Sequence, residues 1–314
     1  MIAATNVQIS ANPPSKSEGL LNFRSEKFVN RRFPPISHTS LLRDGGVDAV
    51  VVVTPTKTHF AVVTDALHAG KHVPCEKPLC IDTAEGEQLV ALAKDKGLVL
   101  IVGHIFLFNP GMLKVKDLVD RGELGDVRSL TAVRTNLSPV RSDVNAAWDL
   151  ASHDISIFNW LLGSEPVEVQ AMGAAFLQPS IEDVVNITLR YPGNVLASIQ
   201  CSWLDPKKVR QLTLVGSKKM ITCDYLALSN PVAIYEKIRG GECGSHRLRP
   251  VPPPLDARRR RASAESAVRR AAEGAGRRIR PRRARRESDD LGRCILGVVK
   301  VLEKVQRELS TKNT

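Results

Sequence analysis

Between Val47 and Gly103 the hydrophobic and polar positions follow two alternating periods. "VDAVVVVTP", Val47 to Pro55, is a continuous β-branched run closed by Thr-Pro, the pattern of a strand buried on both faces of a parallel sheet. Such a strand needs a crossover helix, and "THFAVVTDALHAGKH" supplies one, with Phe60, Val63, Ala66 and Leu67 on one face and Gly70 at the C-terminal cap. A short apolar step into "EKP" follows. Asp82 and Glu85 then form a D-x-x-E capping box for a helix through Lys96, and "LVLIVG" is the next strand. Strand and helix alternating at this spacing predict a doubly wound parallel sheet.

Beyond Leu107 the pattern changes. "NPGMLKVKDLVDRGELG" is amphipathic at helical spacing, and the strand "DVRSLTAVRTN" follows it. "WDLASHDISIFNWLLG" predicts a helix capped by Asp149, with Ile155, Phe158 and Leu162 turned to the core. Two hairpins come next, "VVNITLRY" with "VLASIQCSWL" around Pro192-Gly193-Asn194, and "VRQLTLVG" with "KMITCDYL" around Gly216-Ser217-Lys218. The fold class is therefore α/β plus α+β: an incomplete Rossmann-like parallel sheet, then a domain with an open, mainly antiparallel sheet. The expected division is an atypical N-terminal segment over 1–31, a partial dinucleotide-binding domain over 32–103, and a substrate-binding and oligomerisation domain over 104–237. An arginine-rich segment over 238–290 and a C-terminal helix over 291–314 complete it. Sheets of the second kind often dimerise, so a homo-oligomer is expected.

Composition narrows the class. With 314 residues, 43% of them hydrophobic, the chain can bury two modest cores. It has no apolar run of membrane-spanning length and no basic-then-apolar leader, so no membrane partner is expected and the cytoplasm is the expected setting. The six cysteines form no C-x-x-C pair and no zinc-spaced cluster, so they are expected to be reduced thiols with no metal. The formal charge of +12 is local: residues 237 to 293 hold 18 basic against 7 acidic side chains, a surplus of 11. From Arg258 to Arg286 the only large aliphatic residues are Val268 and Ile279, which leaves almost nothing to bury and predicts disorder. A nucleic-acid-binding tail is the competing reading, and the absence of aromatic residues there counts against base stacking.

Ligands bind outside the carboxyl ends of strands in doubly wound sheets, and two of those ends are "TPTKTH", Thr54 to His59, and "EKP", Glu76 to Pro78. Lys77 is thus expected in a crevice, although a solvated turn would also account for it. Asp149 and His153, in a D-x-x-x-H step, share a helix face near its positive end. A helix cap beside a surface histidine accounts for that pair equally well.

"VDAVVVVTPTKTH", "AGKHVPCEKPL", "GELGDV" and "WDLASHDISIFNWLLG" together resemble the signature segments of the glucose-fructose oxidoreductase / inositol dehydrogenase (Gfo/Idh/MocA) family. The resemblance covers roughly Arg32 to Glu236 and the final helix. "SPVRSDVNAAWDLASHD" and "SWLDPKKVRQLTLVGSKKM" are similar to the branch that acts on nucleotide sugars. The resemblance implies reversible hydride transfer between a sugar carbinol carbon and the nicotinamide of NAD or NADP. It implies His153 as base, with a pKa expected near 6.5, Lys77 as the group stabilising charge on the reacting oxygen, and Asp149 orienting the imidazole or a sugar hydroxyl. Thr54, Pro55, His59 and Glu76 would line the nicotinamide side together with Lys77. Arg141 would pair with a substrate phosphate or carboxylate; an exposed loop arginine is the alternative.

Two features depart from that family. Before Gly70 the chain has only Gly19, Gly45 and Gly46, which cannot make the G-x-G-x-x-G turn that lets a backbone approach a pyrophosphate. Met1 to Arg31 is also expected to lack an apolar strand followed by an acidic residue, so cofactor binding could be weak or lost and the opening βαβ unit absent or replaced. The arginine-rich stretch resembles nothing related, and compensating frameshifts near Ala257 and Glu287 would produce it.

Overall fold

The computed structural model describes residues 7–9, 42–43, 48–137, 140–227, 229, 231–236, 248–250 and 281–312. The first sheet runs in the order β1 (Val7–Ile9), β2 (Val50–Val52), β3 (Val73–Cys75), β4 (Leu100–Val102). Strands β2, β3 and β4 are parallel, as the βαβ spacing predicts, with α1 (His59–His68) and α2 (Thr83–Asp95) as crossovers. Asp82 caps α2 by accepting the Glu85 N–H at 3.0 Å. On α1 the buried residues are His59, Val62, Val63, Ala66 and Leu67, while Phe60 is only partly buried. A short strand does occur in the N-terminal segment: Val7–Ile9 pairs with β2, but antiparallel. An edge strand needs only backbone pairing on one side, so it forms without the continuous apolar run that a central strand requires. The expected glycine-turn region and the arginine-rich residues 251–280 lie outside the described residues.

After α3 (Pro110–Asp120), capped by Asn109, the chain builds an eight-stranded sheet. Its strands are β5 (Val127–Thr135), β6 (Glu168–Ala174), β7 (Val184–Tyr191), β8 (Val195–Ser202), β9 (Val209–Gly216), β10 (Lys219–Asp224), β11 (Val232–Glu236) and β12 (Leu248–Pro250). The spatial order is β12-β11-β10-β9-β5-β8-β7-β6, and every neighbouring pair is antiparallel except β5 with β8. Both expected hairpins form with the expected turns.

Helix α4 (Ser152–Leu162) lies between this sheet and the last helix, α5 (Pro281–Lys312), and is buried on nearly every side from Ser152 to Asn159. Helix α5 starts at Pro281, before the expected 291 and inside the stretch to Arg286 for which disorder was expected, because arginine and alanine favour helix and proline suits its first position. Its apolar stripe, Ile295, Val298, Val299, Val301, Leu302, Val305 and Leu309, is buried. It also ties the two sheets together, with Thr83 of α2 donating to Glu303 at 2.5 Å and Lys300 pairing with Glu87 at 3.1 Å. The described cysteines Cys75, Cys80, Cys201 and Cys223 are free and buried. No helix among the described residues is long and apolar enough to cross a membrane.

One buried ion pair pins α4 to the sheet. Arg134 on β5 donates from Nε and Nη2 to both oxygens of Asp154 at 2.7 and 2.8 Å, with both side chains almost wholly buried. Removing one partner strands the other charge in a low-dielectric interior, whereas apolar replacement of both is tolerated far better. Asp154→Ala is expected to lower the unfolding free energy by about 3–5 kcal/mol, and Arg134→Met with Asp154→Leu by much less, read from urea denaturation. A double variant as unstable as the single one would show that the pair's shape, not its charge, holds the helix.

Candidate active site

The ends of the parallel strands β2 and β3 open on one crevice of about 530 Å³, lined among others by Thr54, Pro55, Glu76, Lys77, Arg141 and Asp143. The wall after β2 is braced by Thr58, whose hydroxyl bonds to the Thr54 hydroxyl and the Pro55 carbonyl at 2.8 Å each. His59 also borders the crevice, but its ring is buried and bridges the carbonyl oxygens of Pro78 (2.9 Å) and Thr54 (2.8 Å). It therefore clamps the ends of β2 and β3 together and offers no free polar group.

Lys77 reaches across to the second domain. Its Nζ donates to the Asp149 carbonyl at 2.6 Å and to Asp149 Oδ1 at 3.1 Å. The other carboxylate oxygen, Oδ2, accepts from Trp203 Nε1 at 3.2 Å, and Arg141 Nη1 stands 3.5 Å from Oδ1. Burial opposes ionisation of Asp149, but Lys77, Trp203 and Arg141 outweigh it and hold the carboxyl below the usual range. Asp149 is not the helix cap that its sequence position suggested. It sits inside a π-helical turn, Ala147–Ala151, and the capping contact comes from Asn145, whose Oδ1 accepts the Trp148 N–H at 3.3 Å. Asn145 is itself fixed by Glu182 (2.7 Å) and by Gln306 of α5 (3.0 Å). The wider turn frees the Asp149 side chain from the backbone and aims it at Lys77.

His153, one turn on, packs edge-on against Phe106 at 4.7 Å between ring centroids, and Phe106 in turn lies under the Arg134 guanidinium at 4.4 Å. His153 is buried and its Nδ1 has no partner among the described residues. Burial first, then the charges of Lys77 and Arg134, push its pKa well below 6.5, so the near-neutral value expected from sequence does not hold. A second imidazole shares this environment. His104 follows β4 through two tight turns, His104 N–H to Val102 O at 2.7 Å and Ile105 N–H to Gly103 O at 2.8 Å. Its Nδ1 is buried without a partner too, and burial with Lys77 lowers its pKa to about 4. The strand-end rule that singles out Thr54 and Lys77 applies equally to His104, which follows β4. Trp203, Phe106 and Gln306 carried no local signal. Arg141, on the crevice wall, forks onto Asp143, with contacts at 2.9 and 2.6 Å, and touches Thr56 at 3.3 Å.

Both imidazoles are uncharged when folded but take up protons near 6.5 once unfolded. The unfolded state therefore binds more protons below that pH, so stability is complete above about 6.5 and declines as pH falls towards 4. At 1.36 kcal/mol per unit, His104 alone accounts for about 3 kcal/mol of that loss. Urea midpoints of His104→Gln between pH 7 and 4 should fall less steeply than those of the parent; parallel slopes would show that His104 does not titrate.

The comparisons agree with this geometry. A family model described as "Oxidoreductase family, NAD-binding Rossmann fold" matches residues 6–104, and one described as "GFO/IDH/MocA C-terminal domain" matches 112–222. A UDP-N-acetylglucosamine 3-dehydrogenase of Acidithiobacillus ferrooxidans is 32% identical over 67% of this chain and 64% of its own length, so the chain spans just under two thirds of that relative. A dTDP-3,4-didehydro-2,6-dideoxy-alpha-D-glucose 3-reductase of Streptomyces violaceoruber is 31% identical over 76% of this chain and 72% of its own. A solved structure of the Acidithiobacillus enzyme superposes with a TM-score of 0.69 at 27% identity, covering 89% of this chain and 82% of that one. With matching family models over both sheets and the strand-end crevice between them, the chain belongs to the GFO/IDH/MocA family of NAD-binding, Rossmann-fold oxidoreductases.

Proposed function

We propose that this chain transfers a hydride between a sugar or nucleotide-sugar hydroxyl carbon and the nicotinamide of NAD or NADP. The observation that carries the reading is the junction of Lys77 and Asp149 at the carboxyl ends of the parallel strands, with the buried, uncharged His153 beside it. The crevice suits the nicotinamide end of such a cofactor. Thr54, Pro55, Glu76 and Lys77 border it, and the partnerless nitrogens of His104 and His153 are buried near Lys77. Bound there, the nicotinamide supplies the hydride acceptor.

The protein's own groups do the rest. Taking hydride from a carbinol leaves a developing carbonyl, so the hydroxyl proton needs an acceptor. A deprotonated imidazole at His153 is in the right form to take it. The Lys77 ammonium stabilises negative charge on the same oxygen, worth on the order of 3 kcal/mol in a water-poor crevice. Asp149, ionised and fixed by Trp203, holds Lys77 and can accept from a neighbouring sugar hydroxyl. Beyond Ser142 and Asp143 a second cavity of about 340 Å³, bordered by Asn145, Trp148 and Ile181, leaves room for the nucleotide half of a nucleotide sugar. The buried free thiols support a cytoplasmic setting. The outer face of the large sheet, where Thr131, Met172 and Leu196 are exposed, supports association with a second copy.

A second reading, a family member that folds but does not hold cofactor, is favoured by the missing glycine turn. Titration with NADH separates the two: saturable binding supports the oxidoreductase, and none up to millimolar concentration supports the non-catalytic reading. Lys77→Ala is expected to reduce turnover by at least about 100-fold with an unchanged circular dichroism spectrum. Equal rates in variant and parent would remove Lys77 from the mechanism. Sedimentation velocity should return at least a dimer at micromolar concentration, and a monomer would exclude the sheet-face association.

A further inference from the structure

Two arginines stand directly opposite each other on neighbouring strands of the large sheet: Arg134 on β5 and Arg210 on β9. Like charges in that position repel unless each has its own counter-charge. Arg134 has one in Asp154. Arg210 has none. Its Nη1 donates to the carbonyls of Thr135 (2.9 Å) and Val209 (2.8 Å), and its Nη2 donates to the side-chain oxygen of Asn136. All three acceptors are neutral, and among the described residues no carboxylate lies within ion-pair distance and nothing accepts from Nε or from the second Nη2 hydrogen. The side chain is nonetheless 8% exposed, and a guanidinium that deeply buried is ordinarily paired. Burial first, then the field of Arg134, pull its pKa down to about 10 against the more distant Asp154 and Asp149, which leaves it charged at neutral pH with no carboxylate in contact.

The position of Arg210 says what the anion belongs to. It lies where β5, β8 and β9 terminate together, at Thr135–Asn136, Ser202–Trp203 and Val209–Arg210. Trp203 at this edge donates to Asp149 at 3.2 Å, and Asp149 in turn holds Lys77 of the crevice, so one carboxylate separates the edge from the reacting group. The charge of Arg210 is felt at both His153 and Asp149. A molecule held by one hydroxyl at Lys77 and His153 can extend towards Arg210, whose free donors suit an oxyanion.

We propose that Arg210 recognises an oxyanion on the substrate, a carboxylate or a phosphate remote from the reacting hydroxyl, so that the site takes an acidic sugar in preference to a neutral one. The word substrate rests on the oxidoreductase reading; the anion site does not. Binding is therefore measured without turnover, by quenching of tryptophan fluorescence, since Trp203 and Trp148 border the site. The ligands are D-glucose, D-glucuronate and glucose 1-phosphate. In the parent, glucuronate or glucose 1-phosphate should bind at least 10-fold more tightly than glucose, and whichever anion does so identifies the group. Arg210→Gln should bring the two within about 3-fold, and Arg210→Lys should keep part of the difference. Circular dichroism of both variants checks folding. If Arg210→Gln unfolds, the lysine variant alone decides, because a preference as large as the parent's would show that the fork is not used. Glucose binding as tightly as both anions, no saturable binding of either anion, or an undiminished preference in a folded Arg210→Gln would each overturn the proposal. A failure of NAD reduction with binding intact would count against the oxidoreductase reading alone.

Discussion

The ammonium of Lys77 held on Asp149 is the contact on which the rest of the molecule depends. It joins the end of a strand in one sheet to a helical turn that packs on the other, and both groups are largely shielded from water. Neither can be displaced without leaving a charge in a poorly solvated place. The surroundings are arranged to keep them there. The π turn lets Asp149 point out of the helix, Trp203 takes its second oxygen, and Asn145 starts the helix so that Asp149 need not. A capping aspartate would have spent its carboxylate on backbone N–H groups and had none for a lysine.

Behind this pair the interior is rich in positive charge. Lys77, Arg134 and Arg210 all act on His153, and Lys77 acts on His104 as well, while Asp149 and Asp154 are each already engaged. The consequence is chemical as well as structural. In such a field an imidazole gives up its proton, and an oxygen that acquires negative charge is stabilised. An apolar pair in place of Arg134 and Asp154 would hold α4 about as well. It would not keep a cation over the Phe106 ring, nor tie the residue next to His153 to the sheet.

Local patterns made much of this legible. The β7–β8 hairpin, the Asp82 cap and the parallel order of β2 to β4 follow from residue spacing over a few positions, and the structure has them where the spacing put them. Lys77 and Asp149 were found the same way, one by its place after a strand and the other by a helical step to His153. What could not be seen depends on contacts distant in the chain. The near-neutral pKa expected of His153 fails because burial and Lys77 are not visible in a D-x-x-x-H step. The fork of Arg141 onto Asp143 is the exception, a local contact between residues two apart in the quoted "SPVRSDV". The run Val47 to Pro55 looked like one long strand, yet the strand proper is Val50–Val52, extended only by a bridge from Ala49 to His72, because its last residues turn to form the crevice wall.

The last helix shows why a site of this kind cannot be assigned to one domain. Gln306 accepts from both Asn145 and the Trp148 indole, 3.0 and 3.2 Å away, and thereby fixes the turn that presents Asp149. The same helix binds α2 of the first sheet through Glu303 and Lys300. A shift of α5 would thus move the crossover that follows β3, which carries Lys77 at its end, and the turn that carries Asp149 together rather than apart. Two groups that must stay within hydrogen-bond distance across a domain boundary are better served by one rigid element touching both sides than by two independent supports, since the errors of independent supports add. The geometry at Lys77 is in that sense set by packing along α5, although no side chain of α5 contacts Lys77 through a hydrogen bond or ion pair among the described residues.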